Sequence, residues 1–467
     1  MRFMRIDLGI LCACYGFMTA IIILDIINIF RKNRYISMYL LCKIMFCFVE
    51  GIIPLAIHVK YFRDGTLYPW NITLDYSVNG INALMIVCFL AFIGYIFITL
   101  GYKNRYRFTI GESKIKFIKN QHIKFQYDIA LRYSAIVILL ISVFSLYMWT
   151  KAYGGIIRFI LQANAIRSGF TNINNSYGFF KHFASAIVIS SYAFFVLNIY
   201  AKKKKIMDII FWIISLIFSV CFLLASDGRM TAGFYFLAYV AIYMQSKSKM
   251  VDKNISNKTV ISVICLFALS MLLMLKMDDF TYYIRHGVWN ATRSAGNNSI
   301  VNSFVYELSF VAKSEQLAVM KAKEVGLQLI NDIGYGLTAW LPSSLVPSSF
   351  PRLWTLNSEL SGAKSGELPC GIIAQGYYDL RLFGVIVFTF LYGKIIRTVD
   401  VIEIKTPYGL TLYAALFYSI IRLVAYGMIY DFVQGLFDIV ILIIIYFLIH
   451  QVLVIKKIRG GKHETNI

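Results

Sequence analysis

The chain has 467 residues, of which 59% are hydrophobic and 15% are charged, and its formal net charge is +22. Soluble globular domains are less apolar (about 45–50%) and more charged (about 25%), so the composition excludes an ordinary soluble protein. Apolar runs of about 20 residues recur along nearly the whole sequence, and a run of that length spans the hydrocarbon core of a bilayer. The basic residues cluster in alternate short links, which is typical of cytoplasmic loops and not of a nucleic-acid-binding surface.

Eleven segments have the length and hydropathy of membrane helices, which predicts an all-α, polytopic membrane protein with a single transmembrane domain over residues 1–455. The links after segments 1, 3, 5, 7 and 9 are basic, and so is the tail at 456–467, so these parts are expected on the cytoplasmic side. No small-residue cleavage site follows the first segment, which is therefore expected to be a retained helix with its N-terminus outside. The segments are about 7–29, 36–57, 79–101, 129–150, 179–200, 207–225, 230–245, 259–276, 371–396, 408–428 and 432–454.

The longest link, residues 277–370, is expected to be an outer, periplasmic loop inserted within the transmembrane domain. Its stretch 299–323 places apolar residues at helical spacing on one face, which predicts an amphipathic helix. The prolines of 342-PSSLVPSSFPRLW-354 exclude a regular helix there. The loop is therefore expected to contain an amphipathic helix and an irregular segment, both lying over the membrane domain.

Arginines on the outer side are the main candidates for chemistry, because the positive-inside bias disfavours them there. The planar guanidinium donates two hydrogen bonds at once and is well suited to holding phosphate. A single such arginine is explained equally well by snorkelling to lipid headgroups or by pairing with a carboxylate. Several such arginines in one chain are less easily explained by snorkelling or pairing than a single one is. The candidates are Arg158, Arg167, Arg229, Arg285, Arg293, Arg352 and Arg422.

Arg229 stands out because it opens an apolar segment after a short break, in 226-SDGR-229. Asp227 and Gly228 favour a turn, and Asp227 has a side chain suited to capping a helix start. The start of a helix combined with an arginine predicts an anion site. Arg422 lies inside a predicted span, where an ionisable group is a functional candidate, and Asp431 is its expected structural partner.

Candidate bases and buried carboxylates are fewer. His286, in 284-IRHG-287, is the preferred general base because the pKa of histidine lies near neutrality, although a lone histidine in a loop is more often solvated. Glu307, Glu315 and Glu367 are alternative bases. Glu50 lies inside a predicted span with Lys43 seven residues earlier on the same face, which predicts an ion pair. No spacing of cysteines, histidines or carboxylates predicts a metal site, a disulfide framework or a cofactor.

Taken with these residues, the chain resembles the Wzy-type polymerases of O-antigen repeat units. The number of helices and the late, long outer loop are similar over nearly the whole chain. The element 226–229 resembles the small-residue-then-arginine start of a helix in that family. The run 340-WLPSSLVPSSFPRLW-354 resembles its proline-rich loop. The stretch 366–393, with Phe383-Gly384, is similar to the place where those chains re-enter the membrane.

A further point of resemblance is the spacing of an arginine and a glycine eleven positions later. Arg158 with Gly169 and Arg285 with Gly296 both match this spacing, which occurs in the outer loops of some polymerases. Glycine is common in the chain, so the spacing is weakly specific. The O-antigen ligases share much of the same pattern.

The resemblance implies a metal-independent membrane glycosyltransferase of lipopolysaccharide biosynthesis in the bacterial inner membrane, active on the periplasmic face. Its donor and acceptor are implied to be glycans linked to undecaprenyl diphosphate, which is also the leaving group. Implied partners are membrane lipid and the chain-length regulator and flippase of the same pathway, with no nucleic acid and no cofactor. Within the resemblance, Arg229 and Arg167 and then Arg285, Arg158 and Arg422 hold diphosphate, Arg352 and Arg293 contact glycan or phosphate, and His286 is the base.

Three other classes remain open on the sequence. A ligase would have the same architecture and join finished glycan to the lipid A core. A flippase would be expected to show internal repeats, broken helices at the middle of the membrane and charges lining its interior, whereas the chain shows no repeat, few such charges and a large outer loop. A membrane-bound acyltransferase would need a histidine near a span end, where His58 and His182 are the candidates.

Overall fold

The computed structural model describes most of the chain as helix. The described residues are 2–33, 37–65, 74–104, 121–163, 166, 177–200, 205–226, 229–250, 283, 300–329, 331–338, 353–362, 368–400, 406–427 and 429–461. Within these residues all regular structure is helical and no strand occurs. The all-α prediction is confirmed for this part of the chain.

The helices of the described residues are numbered here in chain order. Two of them, α2 and α6, are built from shorter helical pieces that follow each other directly. They are α1 (Arg2–Asn33), α2 (Met38–Asp64), α3 (Val78–Lys103), α4 (Gln121–Thr150), α5 (Ile156–Leu161), α6 (Gly178–Tyr200), α7 (Ile206–Ser226), α8 (Arg229–Met250), α9 (Ile300–Met320), α10 (Asn331–Thr338), α11 (Leu353–Leu360), α12 (Ile372–Asp400), α13 (Pro407–Tyr426) and α14 (Ile429–Gly461).

Nine of the described helices are long and apolar enough to cross a membrane, namely α1, α2, α3, α4, α6, α7, α12, α13 and α14. The chain is therefore a multi-pass membrane protein. The predicted segment 230–245 does form a helix, α8, but α8 is not among these nine. The predicted segment 259–276 lies outside the described residues. The expectation of eleven spans thus stays a prediction beyond the nine.

Capping side chains explain why several of these helices start and stop where they do. The hydroxyl oxygens of Ser37, Ser77 and Thr406 accept hydrogen bonds from backbone N–H groups in the first turns of α2, α3 and α13. Such caps satisfy donors that a helix start leaves open. Gly65 and Gly427 end α2 and α13 in the left-handed conformation, with φ of 62° and 59°, which costs glycine little.

Polar contacts show which helix ends lie together. At one end, the Asp400 carboxylate of α12 accepts hydrogen bonds from the N–H groups of Met38 and Tyr39 in α2. At the other end, Arg422 of α13 pairs with Asp431 of α14. A pocket opens between the helices at the end with Asp431, so we call it the pocket end. We call the end with Asp400 the opposite end.

α2 contains a π-helical segment next to Pro54. The helix changes to a π-helix over Cys47–Ile52 and returns to an α-helix at Ile53. Because proline has no N–H, it cannot donate to the carbonyl four residues earlier, at Glu50. Single π turns of this kind occur often at functional sites. Glu50 thus lies on an irregular turn in the middle of a membrane-spanning helix.

The predicted span over 371–396 is present as α12, but it contains a break. The backbone of α12 leaves helical geometry at Leu380 and Arg381, where Arg381 has a φ of 55°. The short piece before the break folds against the longer piece after it. Gly376 lies against the backbone of Gly384 so closely that a Cβ built on Gly376 would be 2.8 Å from the Gly384 carbonyl carbon.

The predicted amphipathic helix is present as α9, but it does not simply lie over the membrane domain. It packs against α2, α3 and α12. The Gln316 side chain donates to the backbone carbonyls of Asp75 and Gly80 and accepts from the Asp75 N–H. Its buried face includes Ser314 and Glu315, so it is partly polar.

The sequence after α9 is less irregular than predicted. It contains a four-residue helix at Ala322–Val325 and the short helices α10 and α11, in addition to segments outside the described residues. Asn357 of α11 donates to Ser314 of α9 and to the carbonyl of Leu368, and it accepts from the Tyr378 hydroxyl. α11 is thereby joined both to α9 and to the first piece of α12.

The predicted ion pair between Lys43 and Glu50 is wrong. The Lys43 ammonium contacts the carboxylate of Asp25 in α1 and lies 3.0 Å from the Tyr95 hydroxyl in α3. Lys43 precedes the π turn and Glu50 lies within it, and the two side chains meet different helices. Glu50 instead faces α9.

A polar pocket at one end of the helix bundle

A polar pocket opens at the pocket end, between α6, α7, α13 and α14. It encloses about 460 Å³, a volume that includes open solvent. Its lining is Lys181, Ser185, Val188, Phe222, Leu223, Tyr418, Arg422, Asp431, Gln434, Gly435 and Asp438. Seven of these eleven residues carry a polar or charged group, while most of the exposed lining surface is apolar.

Arg422 is the most enclosed cation in this wall. Its Nη2 lies 2.7 Å from Asp431 Oδ2, and its Nη1 donates to the Tyr418 hydroxyl over 3.3 Å. The guanidinium carbon lies 5.2 Å from the centre of the Tyr418 ring. The expected partnership with Asp431 is confirmed. The ion pair bridges the short break between α13 and α14, which are separated by Gly427.

One face of α14 supplies the acceptors of the pocket. Asp431, Gln434 and Asp438 follow each other at spacings of three and four, so they line the same side of the helix. Asp438 is 7% exposed. Its Oδ1 accepts a hydrogen bond of 2.8 Å from the Ser185 hydroxyl, and the Gln434 amide donates to the same hydroxyl. A carboxylate and a hydroxyl are thus held in contact at the pocket wall.

His182 belongs to the same network without lining the pocket. Its Nδ1 lies 2.6 Å from Gln434 Oε1, and its backbone carbonyl accepts from Ser185. Since an amide oxygen only accepts, Nδ1 must carry the hydrogen in this contact. The histidine orients Gln434. His58, the other histidine considered for an acyltransferase, is fully buried beside Tyr76 and does not line the pocket.

Arg158 lies next to the pocket and is exposed. Its helix, α5, is anchored by Phe159, whose ring centre is 4.6 Å from that of Trp149. On the other side, Trp149 meets pocket residues: the Phe222 ring is 5.8 Å away, and the Lys181 ammonium is 5.7 Å from the Trp149 ring. One tryptophan therefore separates the anchor of Arg158 from the pocket wall.

Arg229 is the first residue of α8, as predicted, and the structure describes the position of its backbone. The preceding helix, α7, contributes Phe222 and Leu223 to the pocket and ends at Ser226. One turn into α8, the Phe234 ring packs against Tyr426 at the end of α13, 6.0 Å between ring centres. The start of α8 therefore lies at the pocket end.

Most of the other predicted residues cannot be placed. Those that lie outside the described residues are Arg167, Arg285, Arg293, Arg352, His286 and Glu367. Their assignment stays a prediction. Glu315, an alternative base, lies on α9 with 1% exposure and does not line the pocket. The structure thus places Arg422, the short helix with Arg158 and the start of Arg229's helix at the same end of the bundle.

The pocket is balanced in charge. Lys181 and Arg422 are cationic, whereas Asp431 and Asp438 are anionic. The pocket can therefore place a carboxylate that accepts a proton beside cations that donate hydrogen bonds. A group transfer with an anionic leaving group needs both. Among the described residues, no group of three or more His, Cys, Asp or Glu is arranged to hold a metal ion.

Sequence reasoning missed Lys181, Ser185, Gln434 and Asp438. A signal was present for the acceptors, because three polar side chains at helical spacing interrupt an otherwise apolar span in 429-IYDFVQGLFDIVILIII-445. Such residues inside a membrane helix are functional candidates. Lys181 and Ser185 carried no comparable signal, since each becomes informative only beside α14. Comparison of the chain with protein-family models, curated proteins and solved structures found no match.

Proposed function

We propose that the protein is a Wzy-type polymerase of undecaprenyl-diphosphate-linked repeat units. It is proposed to act in the bacterial inner membrane, with the pocket end on the periplasmic side. The observation that carries this proposal is the pocket itself. At one end of a multi-pass helical bundle it combines the guanidinium of Arg422 with a carboxylate, Asp438, that is already in contact with a hydroxyl.

The proposed reaction is a glycosyl transfer between two lipid-linked glycans. A hydroxyl of the acceptor repeat unit attacks the anomeric carbon of the sugar that is bonded to diphosphate in the donor. The new glycosidic bond forms as the bond from that carbon to the phosphate oxygen breaks. The acceptor proton passes to a base, and undecaprenyl diphosphate leaves with the electron pair.

The pocket residues suit the two charged parts of this reaction. Asp438 and Asp431 are the carboxylates in the wall that can accept the proton. Lys181 and Arg422 are the cations that can stabilise the negative charge on the leaving diphosphate. Arg158 and Arg229 lie at the same end, where they are proposed to extend the phosphate-binding surface.

The test is polymerisation in vitro. The purified full chain, reconstituted in liposomes, is given a defined undecaprenyl-diphosphate-linked repeat unit, with and without a chelator. We expect products longer than one repeat, released undecaprenyl diphosphate and no effect of the chelator. Arg422→Ala should lower the rate by about 10²–10³-fold, the usual effect of losing one group that stabilises developing charge.

The matched control is Arg132→Ala. Arg132 is also held by a carboxylate, with two hydrogen bonds of 2.7 and 2.8 Å to Asp208, but at the opposite end of the bundle. In folded protein this variant should keep its polymerisation rate within a few fold of wild type. The proposal is wrong if the wild type lengthens no glycan, or if both arginine variants lose activity equally while remaining folded.

A deletion strain separates the related functions. Loss of a polymerase leaves single repeat units on the lipid A core. Loss of a ligase leaves bare core, with lipid-linked polymer accumulating, and loss of a flippase leaves lipid-linked single units on the cytoplasmic face of the membrane. Bare core with accumulated polymer would replace the polymerase proposal by the ligase.

A further inference from the structure

Two glutamates meet in the protein interior, away from the pocket. Glu50 lies on the π turn of α2, and Glu315 lies on α9. Each residue is 1% exposed. A Cβ built on Gly371, just before α12, would be 3.4 Å from Glu50 Oε1 and 3.3 Å from Glu315 Oε1, so both carboxyl groups converge on this glycine.

Among the residues that the structure describes, no donor satisfies either carboxyl group. All four side-chain oxygens of the two glutamates are buried and accept no hydrogen bond from a donor among the described residues. The remaining polar interaction is between the two carboxyl groups themselves. Carboxylates only accept, so a hydrogen bond between them requires a proton on one of the two.

The groups around the pair do not offset its charge. Among the described residues, the titratable groups with an electrostatic interaction with the pair are Tyr15 of α1 and Cys370, in the segment before α12, and neither is a cation. Lys313, on α9, interacts with Asp75. Two ionised carboxylates in contact would be costly here, because burial removes water and the like charges repel.

We propose that Glu50 and Glu315 form a two-carboxyl site that binds one proton, and that this proton holds α9 against the π turn of α2. The proton supplies the missing donor and removes one of the two negative charges. Hydrogen bonds of Gln316 and Ser314 also hold α9 in place. The proton is therefore expected to affect the packing of the central part of α9. This inference is independent of the proposed polymerase activity.

The direction of the pH effect follows from proton binding. Burial and the neighbouring Glu50 carboxyl raise the pKa of Glu315 well above its usual range. The docked state therefore binds a proton that an undocked, solvated glutamate, with a pKa of about 4.3, would release. Docking is most favourable in acid and weakens as the pH rises, by up to about tenfold per pH unit for each proton.

Hydrogen exchange measured by mass spectrometry tests this in the full chain in nanodiscs, between pH 6 and pH 9. Exchange rates are corrected for the intrinsic effect of pH, and peptides from Ile187–Tyr200 serve as the internal reference. We expect the protection of residues 305–320 in the wild type to fall at least tenfold relative to the reference as the pH rises.

Carboxamide variants separate a shared proton from general loosening in alkali. Glu50→Gln and Glu315→Gln each supply the missing N–H without a proton, so each should keep residues 305–320 protected at pH 9, where the wild type loses protection. The double variant, with no charge at all, should show no pH dependence and is the least prone to misfold. Glu324→Gln is the matched control, since Glu324 is 62% exposed and paired with Lys321, and it should behave as wild type.

Two results would overturn the proposal. One is wild-type protection that does not change with pH, or that changes equally in the single and double carboxamide variants. The other is protection that disappears with EDTA and returns with Ca²⁺ or Mg²⁺, which would assign the two carboxylates to a metal ion.

Discussion

Arg422 and Asp431 form an ion pair across the break between α13 and α14, with Nη2 and Oδ2 2.7 Å apart. Their side chains are 10% and 15% exposed, yet both reach the wall of the polar pocket. The pair therefore fixes the geometry of the break and also places charge where the proposed transfer takes place. The two contributions can be separated by neutral variants.

Asp431→Asn alone should destabilise the protein, because it leaves the largely buried guanidinium of Arg422 without a carboxylate. The usual cost of breaking such a pair is on the order of 3–5 kcal/mol. The double variant Arg422→Gln/Asp431→Asn removes both charges and should recover much of the stability, while polymerisation stays low. Thermal unfolding in detergent and polymer length check the two effects. Polymer of wild-type length from the double variant would show that the charge of Arg422 is not needed.

Asp438→Asn should separate a chemical role from a structural one. The asparagine oxygen can still accept the Ser185 hydroxyl, so the free energy of unfolding should change by only about 1 kcal/mol. If Asp438 takes the acceptor proton, the transfer rate should fall by about 10²–10⁴-fold. Ser185→Ala removes the hydrogen bond but keeps the carboxylate, and its rate should stay within tenfold of wild type. Equal rates for Asp438→Asn and wild type would exclude this residue as the base.

Gly384→Ala should disturb the fold of α12. Gly376 and Gly384 bring two backbone segments into contact, and a Cβ on Gly384 would be 2.8 Å from the Gly376 carbonyl carbon. Overpacking of this kind usually costs about 1–3 kcal/mol. The control is Gly16→Ala in α1, where nothing lies within 4 Å of the added Cβ. We expect a lower melting temperature and yield for Gly384→Ala only, and equal values for both variants would contradict the close packing.

Arg381→Ala should loosen the segment that follows α9. The Arg381 guanidinium donates to the carbonyl of Gly326 over 2.6 Å, to that of Tyr377 over 3.2 Å and also to that of Ala322. A hydrogen bond that involves a charged group contributes about 1.5–3 kcal/mol. Hydrogen exchange of residues 321–329 should become at least tenfold faster in the variant. Arg397→Ala, at the opposite end, should leave this segment unchanged, and a common effect of both variants would point to global destabilisation.

The local part of the fold could be predicted from the sequence. Apolar runs identified the nine helices that the structure describes as long and apolar enough to span a membrane, and the helical spacing of 299–323 predicted α9. The partnership of Arg422 with Asp431 was predictable as well. Both residues flank one short turn, so the chain itself keeps them close.

The break in α12 was harder to predict. Nothing in the apolar stretch after Ile372 demands a change of direction, and Arg381 adopts a positive φ that is unusual for a residue with a side chain. The contact of Gly376 with Gly384 stabilises this conformation, and so do the hydrogen bonds that the Arg381 guanidinium donates to backbone carbonyls. These partners come from the folded structure and leave no local pattern in the sequence.

What the sequence determined by itself is the membrane-spanning, all-helical character, since burial of apolar side chains and satisfaction of backbone hydrogen bonds in lipid leave few alternatives. Tertiary structure decided which polar groups meet. Lys43 pairs with Asp25, Asp438 holds Ser185, and Glu50 meets Glu315, although a same-helix partner had been predicted for Lys43. The physical reason is that a buried charge takes whichever partner the rotation and depth of the neighbouring helix bring to it, and neither quantity is encoded in hydropathy or in spacing along one helix.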